Sequence, residues 1–569
     1  MNFDAIVVGS GFGGALAAKV LVEAGWRVLM LERGRWVARG PENWTPEGVG
    51  QLTEHYSLEA PYIAEPAGPR ALGAYHCVGG PSVFYGGVSL RFRERDFEPD
   101  PGIIGESGAA WPFRYHDLEP YYLRAERIIG VAGTDAGDPT APPRSAPYPF
   151  PPAELAPVSR RIEAAARALG LNPFRLPLAI NHQASPGRSA CIACSTCDGF
   201  ACALGAKNDL ATTVLQPLLR RGLRLEPETV VTRLLHDGRR ITGVEAVPLA
   251  GGAPVVYRGR EVVLAAGAVA TPHLVLASGL ERLNPAGDLV GRYLMRHFNE
   301  IIFGIFPTPP DKEGRFHKQL GIHDLYFGAQ GREGAGAQGR RGAGGPGRHP
   351  EGASATEGPD SDFDRTPGQV PRFARDDIGG LTGPIGAIQQ LPTPPVALVK
   401  AEMPKLLAPV LAPLVRNLTG LLVMAEDQPR YENRVLLDRE SPPDRWGLPR
   451  LRIRFRHSAR DLAAGEILTR TARRVLRKAG AFAWYRHKIH TFSHGVGTLR
   501  MGTDARTSVL DPDGRFRGVE NLTVTDASVF PTSASVNPSL TIAANALRAA
   551  ERLLARAPAA RATRTGAAH

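Results

Sequence analysis

The sequence predicts an α/β fold, and two observations carry that reading. Short apolar runs suited to buried parallel strands alternate along the chain with stretches of helix-forming composition. The first strand and helix are joined by a glycine-rich turn, Gly9-Ser10-Gly11-Phe12-Gly13-Gly14, and the next strand ends in an acid. Hydrophobic residues make up 43% of the 569-residue chain and charged residues 22%, the balance of a globular protein long enough for two or more domains.

Each element follows in order. Ala5-Ile6-Val7-Val8 is apolar throughout, as a strand buried on both faces requires. Ala15 to Ala24 reads as a helix closed by Gly25. Arg27-Val28-Leu29-Met30-Leu31 is the next strand, and Glu32 ends it. Glu261-Val262-Val263-Leu264 again runs into glycine, at Ala265-Ala266-Gly267-Ala268, and predicts a helix over Pro272 to Ser278. Asn521 to Asp526 predicts another strand, and Leu540 to Ala555 a helix. Residues 135–155 are rich in Pro and Ala and read as a loop. Residues 329–362 are very rich in Gly and read as disordered or as a long surface excursion.

Charge and hydropathy exclude some classes. The net charge is +12, but the basic residues are scattered, and no nucleic-acid motif accompanies them. No uninterrupted apolar run reaches the ~18 residues of a membrane span. The N-terminus enters an apolar strand at once, without a basic region or a small-residue cleavage site. The expectation is a cytoplasmic protein that binds no nucleic acid, with peripheral membrane contact left open.

The glycine spacing has a physical purpose. In Gly9-x-Gly11-x-x-Gly14 the first glycine permits a tight turn, the second lets backbone approach a pyrophosphate, and the third lets helix and strand pack closely. Phe12 and Gly13 lie inside the same turn. The helix N-terminus then faces phosphate with its partial positive charge. Glu32, 18 residues after Gly14, stands where an acid would accept hydrogen bonds from ribose hydroxyls. An acid there disfavours a 2′-phosphate, which leaves FAD or NAD.

Further segments resemble the glucose-methanol-choline (GMC) oxidoreductases. These are His76-Cys77-Val78-Gly79-Gly80-Pro81-Ser82-Val83-Phe84-Tyr85-Gly86-Gly87, then Trp111-Pro112 with Leu118-Glu119-Pro120-Tyr121-Tyr122. Gly267-Ala268-Val269-Ala270-Thr271-Pro272-His273-Leu274 follows. The C-terminal blocks Ser493-His494-Gly495-Val496-Gly497-Thr498 and Asp526-Ala527-Ser528-Val529-Phe530-Pro531, leading to Asn537-Pro538-Ser539-Leu540-Thr541, are the most specific. The resemblance points to bacterial cholesterol oxidase-like and long-chain alcohol oxidase branches.

The resemblance implies a Rossmann-like FAD-binding domain of GMC type, with an α+β substrate-binding domain on an antiparallel sheet. It divides the chain into an FAD domain at 1–300, which includes the Cys-rich segment 188–207, and a substrate domain at 301–485. Residues 486–556 then return to the FAD domain with the catalytic residues, and 557–569 form a tail. It implies oxidation of an alcohol by hydride transfer to FAD. His494 matches the catalytic histidine, and imidazole, with a pKa of about 6.5, suits proton transfer near neutral pH. Asn537 matches the second active-site position and would donate to or orient the hydroxyl. Seen alone, His494 competes with His487 and His490. His297 matches another family motif and reads as structural, packing near the flavin. For the cofactor, Gly9, Gly11, Gly14 and Glu32 carry over to the ADP half, and Val231 to a strand beside adenine. Gly80, Ser82 and Gly86 fall near the ring and pyrophosphate, and Asp526 and Ala527 near the ribityl chain. Pro538 and Thr541 lie at a helix start facing the isoalloxazine. Val83-Phe84 stand where some relatives attach flavin through histidine, so the FAD is expected to be noncovalent.

Four of the five cysteines fall within twelve residues, at Cys191, Cys194, Cys197 and Cys202. Three readings are open: an iron–sulfur cluster, structural zinc, or a segment without metal. A cluster would imply an electron-accepting protein partner rather than oxygen. For the substrate, a hydrophobic alcohol, sterol or long-chain, is the first expectation. It is motivated by the His494 and Asn537 pair and by the apolar segments Val396-Ala397-Leu398 and Leu406-Leu407-Ala408-Pro409-Val410-Leu411. The alternative is a sugar or sugar-acid dehydrogenase subunit passing electrons through an iron–sulfur cluster to a cytochrome.

Overall fold

The strand that opens the chain lies inside the first sheet, flanked on both sides by parallel partners. The structure is a computed structural model that describes residues 2–44, 55–57, 63–65, 68–69, 74–185, 187–315, 318–328, 378, 381–394, 396, 399, 412–489 and 491–557. The Gly-rich insert 329–362, the apolar segments at 397–398 and 406–411, His490 and the tail beyond 557 lie outside the described residues.

In chain order the elements that matter here are β1 (Asn2–Val8), α1 (Phe12–Glu23), β2 (Val28–Leu31), α2 (Tyr115–Ile129), β3 (Pro173–Arg175), β4 (Arg224–Glu226), β5 (Thr229–His236), β6 (Ile241–Pro248) and β7 (Val255–Leu264). They continue with α3 (Gly267–Ala277), β8 (Phe298–Ile305), β9 (Leu320–Ile322), β10 (Gly386–Leu391), β11 (Leu418–Ala425), α4 (Ala459–Lys478), β12 (Ala483–Lys488), β13 (Leu522–Val524) and α5 (Ser539–Arg556).

The first sheet runs β4-β2-β1-β7, and β13 pairs with the far side of β7, all in parallel. Ala5, Ile6 and Val7 have no exposed surface, which is why their run contains no polar residue. The strand predicted from Glu261 begins six residues earlier, at Val255. Its outer half is more exposed and pairs antiparallel with β6, so its residues lack a continuous apolar signal. The helix predicted from Pro272 begins at Gly267 and contains that proline. Proline removes the N–H that would bond the carbonyl four residues back. That carbonyl, Ala268, instead accepts from Thr498 Oγ1 at 2.7 Å.

The second sheet is antiparallel throughout, in the order β12-β8-β11-β10-β9-β3. It draws β3 from residues 173–175, far upstream of its other strands. α4 covers one face, burying Ala464, Ile467, Leu468, Ala472 and Val475 against Ile302, Ile388 and Val423. Ser458 caps that helix by accepting from the Asp461 N–H, and the Asp461 carboxylate returns the bond to the Ser458 N–H. Both expected folding units are present: a parallel Rossmann-like sheet and an α+β unit on an antiparallel sheet. Among the described residues, no helix is long and apolar enough to cross a membrane.

The turn between β1 and α1 is packed against backbone from distant segments. A Cβ at Gly14 would lie 2.0 Å from the Gly9 carbonyl oxygen, and one at Gly13 would lie 2.6 Å from the Thr525 carbonyl oxygen. Gly14→Ala is therefore expected to destabilise the fold by about 3 kcal/mol. Gly11→Ala, whose Cβ would meet nothing within 4 Å, should stay within about 0.5 kcal/mol of the parent. Urea unfolding of both variants checks the contrast.

Candidate active site

The expected cofactor residues converge on one end of the parallel sheet. α1 opens at Gly11, over open space at its N-terminus. Gly80, at φ +57°, sits directly above, where a Cβ would lie 3.0 Å from the Gly11 Cα. Ser10 fastens the two glycine loops together, its Oγ accepting from the Gly79 N–H at 2.9 Å and donating to Glu32 Oε2 at 2.6 Å. Glu32 Oε2 also accepts from the Ser10 N–H, and Oε1 accepts from the Gly34 N–H at 2.8 Å. Burial pushes the Glu32 pKa up, against these donors. Val231 is half-buried on β5, and the start of that strand bonds to the backbone of Glu32 through the Thr229 N–H at 2.9 Å.

Other expected residues have structural duties as well. Ser82 Oγ donates to the Gly79 carbonyl at 2.6 Å and accepts from the Leu210 N–H at 3.0 Å. Asp526 accepts from the Gly267 N–H at 2.9 Å, from the Ser528 N–H at 2.9 Å and from the Ser528 hydroxyl at 2.5 Å. It also accepts from the Thr271 hydroxyl. Ala527 presents its carbonyl to the Gly497 N–H at 3.1 Å. Pro538 caps α5. The Thr541 hydroxyl pairs with the Tyr122 hydroxyl at 2.7 Å.

His494 is presented by a loop held on both sides. Val496 exchanges backbone bonds with Met295 on one side, while Leu499 and Met501 donate to Ser528 and Val529 on the other. Gly497, at φ +97°, passes where a Cβ would lie 2.5 Å from the Tyr293 carbonyl oxygen. This threading brings His494 to Asn537, with His494 Nε2 3.5 Å from Asn537 Nδ2. Gln389 on β10 orients Asn537, its Nε2 donating to Asn537 Oδ1 at 2.7 Å. The antiparallel sheet therefore supplies the third side of the site. Burial first, then His297 and Lys318, holds the His494 pKa well below the usual imidazole range.

Three neighbours lay beyond the reach of sequence reasoning as site residues. His297, read from sequence as structural, faces His494 with Nδ1 to Nδ1 at 3.1 Å. Gln389 gives no signal in sequence, because glutamine on a buried strand marks no motif. Lys318 is buried beside the site and pairs with Asp198 at 2.6 Å. Both approach Gly86, where a Cβ would lie 2.7 Å from Lys318 Nζ and 2.9 Å from Asp198 Oδ2. Of the rival histidines, His487 lies on β12, paired with Ile301 of β8.

The cysteine segment is organised by a lysine. All five cysteines are free thiols. No three of Cys191, Cys194, Cys197 and Cys202 bring their sulfurs within 4.8 Å of one another; among the described residues the one such group of metal-ligand atoms is Asp427, His457 and Asp461. Among the described residues, no three of these sulfurs are thus close enough together to hold a single zinc ion. Burial raises the Cys191 pKa to about 11 and the Cys197 pKa to about 12, so both hold their protons. Instead the buried Lys207 donates from Nζ to the carbonyls of Tyr85 at 3.0 Å, Cys197 at 2.9 Å and Phe200 at 2.6 Å. This clamp ties the segment to the glycine loop at 77–87. Lys207→Met orphans three carbonyls and is expected to cost about 3 kcal/mol, which thermal unfolding with calorimetry would measure.

Comparison with known proteins fits this geometry. Residues 72–299 and 429–546 match the N-terminal and C-terminal family models described as GMC oxidoreductase. The chain is 29% identical to the paromamine 6'-oxidase of Streptomyces fradiae, over 96% of this chain and 91% of that protein. It is 26% identical to the 2-methyl-1,2-propanediol dehydrogenase of Mycolicibacterium austroafricanum, over 96% and 94% of the two chains. The pyridoxine 4-oxidase of Mesorbium loti shares the fold, with a TM-score of 0.60 over 98% of this chain and 100% of that one at 19% identity. With both halves of the family pattern matched in order around one site, the chain belongs to the GMC oxidoreductases, enzymes that act on alcohol groups.

Proposed function

We propose that the protein binds FAD noncovalently and oxidises the CH–OH group of a polar, hydroxylated alcohol, with His494 as base and Asn537 orienting the hydroxyl. The observation that carries the reading is the convergence of His494 and Asn537 at 3.5 Å beside the glycine cradle. The cradle suits a dinucleotide: a Cβ at Gly11, at the α1 N-terminus, would meet nothing within 4 Å, and Gly80 brings a second glycine loop beside it. Glu32 Oε1 accepts one internal bond, which leaves a lone pair for a ribose hydroxyl.

FAD, when bound, supplies the hydride acceptor. The chain's own residues do the rest. His494, held neutral, offers Nε2 to the proton of the substrate hydroxyl. Asn537 cannot act as a base. Its Nδ2 donates to the same oxygen and holds the carbon in line for transfer. The N-terminus of α5 directs backbone N–H groups toward the same end of the site, favouring negative charge there.

Polar lining supports the substrate class. Gln389 Oε1 is buried without a partner, and Asp198 and Lys318 lie against the glycine loop. The names of two relatives specify an aminoglycoside, paromamine, and a diol. The expectation of a sterol or long-chain alcohol rested partly on segments 397–398 and 406–411, and the polar lining favours the other class. The electron acceptor is oxygen or an electron-accepting protein.

Anaerobic titration tests this reading on purified protein with its FAD content measured. Amino sugars, polyols and diols are expected to bleach the flavin band. Bleaching by sterols or long-chain alcohols alone would overturn the substrate class, and bleaching by none would overturn alcohol oxidation. Oxygen uptake during turnover then separates oxidase from dehydrogenase. His494→Ala should lower kcat by about 10³-fold with FAD retained. The depressed His494 pKa has a definite sign: kcat should stay flat as pH falls to about 6.5 and drop only at more acid pH. Below about 6.5 the unfolded chain takes up a proton that the native ring resists, so stability should decline as well.

A further inference from the structure

We propose that His297 is a positioning residue that fixes the protonation pattern of His494, keeping its proton on Nδ1 and its Nε2 lone pair toward the substrate. The proposal rests on the reading of His494 as the base.

The argument starts from an atom whose role is unambiguous. The Ser533 carbonyl oxygen can only accept, and His297 Nε2 lies 3.1 Å from it. His297 Nε2 therefore carries a hydrogen. The ring has no exposed surface, and burial keeps its pKa below the ordinary value, so it is neutral. A neutral imidazole has one N–H, so His297 Nδ1 presents a lone pair. That lone pair faces His494 Nδ1 at 3.1 Å. Two lone pairs at this distance would repel, so His494 Nδ1 must be the donor. His494 is neutral too, which leaves its Nε2 as a lone pair.

The opposite end of the chain of contacts gives the same answer. Gln389 Nε2 donates to Asn537 Oδ1, which turns Asn537 Nδ2 toward His494 Nε2. An amide N–H beside that nitrogen is compatible with a lone pair and not with a second N–H.

The backbone shows what holds His297 in place. Its φ is +65°, and Tyr293 and Ala534, which flank the site, lie at +62° and +53°. Such conformations are unfavourable for non-glycine residues and persist only where the surroundings impose them. Here Glu426 Oε1 accepts from the Ala534 N–H at 3.0 Å, and Asp427 Oδ2 accepts from the Arg296 N–H at 2.7 Å. The charged and titratable groups acting on the pair are Asp427 and His457 on the His297 side and Lys318 on the His494 side. A protonated His297 would reverse the pattern, placing an N–H on His494 Nδ1's partner and the His494 proton on Nε2, where it blocks base catalysis.

Two measurements test this on the FAD-loaded protein. Long-range proton–nitrogen correlation spectra of histidine-labelled protein, assigned with His297→Asn and His494→Gln, report each tautomer without substrate. The expected result is a hydrogen on Nε2 of His297 and on Nδ1 of His494; a hydrogen on Nε2 of His494 overturns the proposal. If this pattern is found and no alcohol reduces the flavin, the pairing stands and the alcohol-oxidation reading fails. In kinetics, His297→Asn keeps an acceptor at the Nδ1 position and tolerates positive φ, so kcat should fall less than about tenfold. His297→Ala removes the acceptor and should lower kcat about 10²-fold, with KM nearly unchanged and the acid limb of the pH profile displaced. An Ala variant with parental kcat and pH profile overturns the proposal.

Discussion

The close approach of three backbone segments at the β1–α1 turn is the constraint on which the rest depends. Gly9 lies against the Ala265 carbonyl, Gly13 against that of Thr525, and Gly14 against Gly9 itself. No side chain fits at these points, so van der Waals contact between main chains welds the first strand to segments some 250 and 510 residues later. That weld sets β13 beside β7 and so places Asp526, Pro538 and the start of α5 over the glycine loop. The loop carrying His494 hangs on the same segment through Ala527, Ser528 and Val529. The glycine cradle and the loop carrying His494 are thus parts of one backbone arrangement.

The second sheet completes the site from the other side, and it does so under strain. His297 is at the junction into β8, Glu426 follows β11, and Gln389 lies on β10. His297 reaches His494 and Ser533, Glu426 reaches Ala534, and Gln389 reaches Asn537. Burial drives the Glu426 pKa well above the usual carboxylate value, while its Oε1 accepts from the strained Ala534 amide. Two buried imidazoles, both with lowered pKa, face each other there, with Asp427 on the His297 side. Lys318 and Asp198 pair at the margin of the site.

The cysteine segment shows a different way of ordering an irregular loop. A buried ammonium ties the cysteine-bearing loop to its neighbours. Lys207 collects three carbonyls from Tyr85, Cys197 and Phe200, each a charge-assisted bond in a dry setting. The same clamp sets Asp198 beside Gly86, linking a segment with no regular structure to the wall of the site.

The sequence by itself determined the local elements and the dinucleotide turn. Apolar runs of β1, β2 and β13 report complete burial, and glycine spacing reports close backbone approach, because a strand buried on both faces favours apolar side chains and a main-chain contact leaves no room for a Cβ, whichever segment makes it. Motif resemblance singled out His494 and Asn537, though 43 residues separate them. Only the tertiary structure decided what surrounds them. His297, Gln389 and Lys318 join the site through sheet register and left-handed backbone turns, which no residue pattern encodes. Whether the four cysteines converge was equally undecided by spacing, since sulfur positions depend on loop path and on Lys207. Contacts between residues hundreds of positions apart are settled by packing, and so the site's protonation pattern belongs to the fold rather than to any motif.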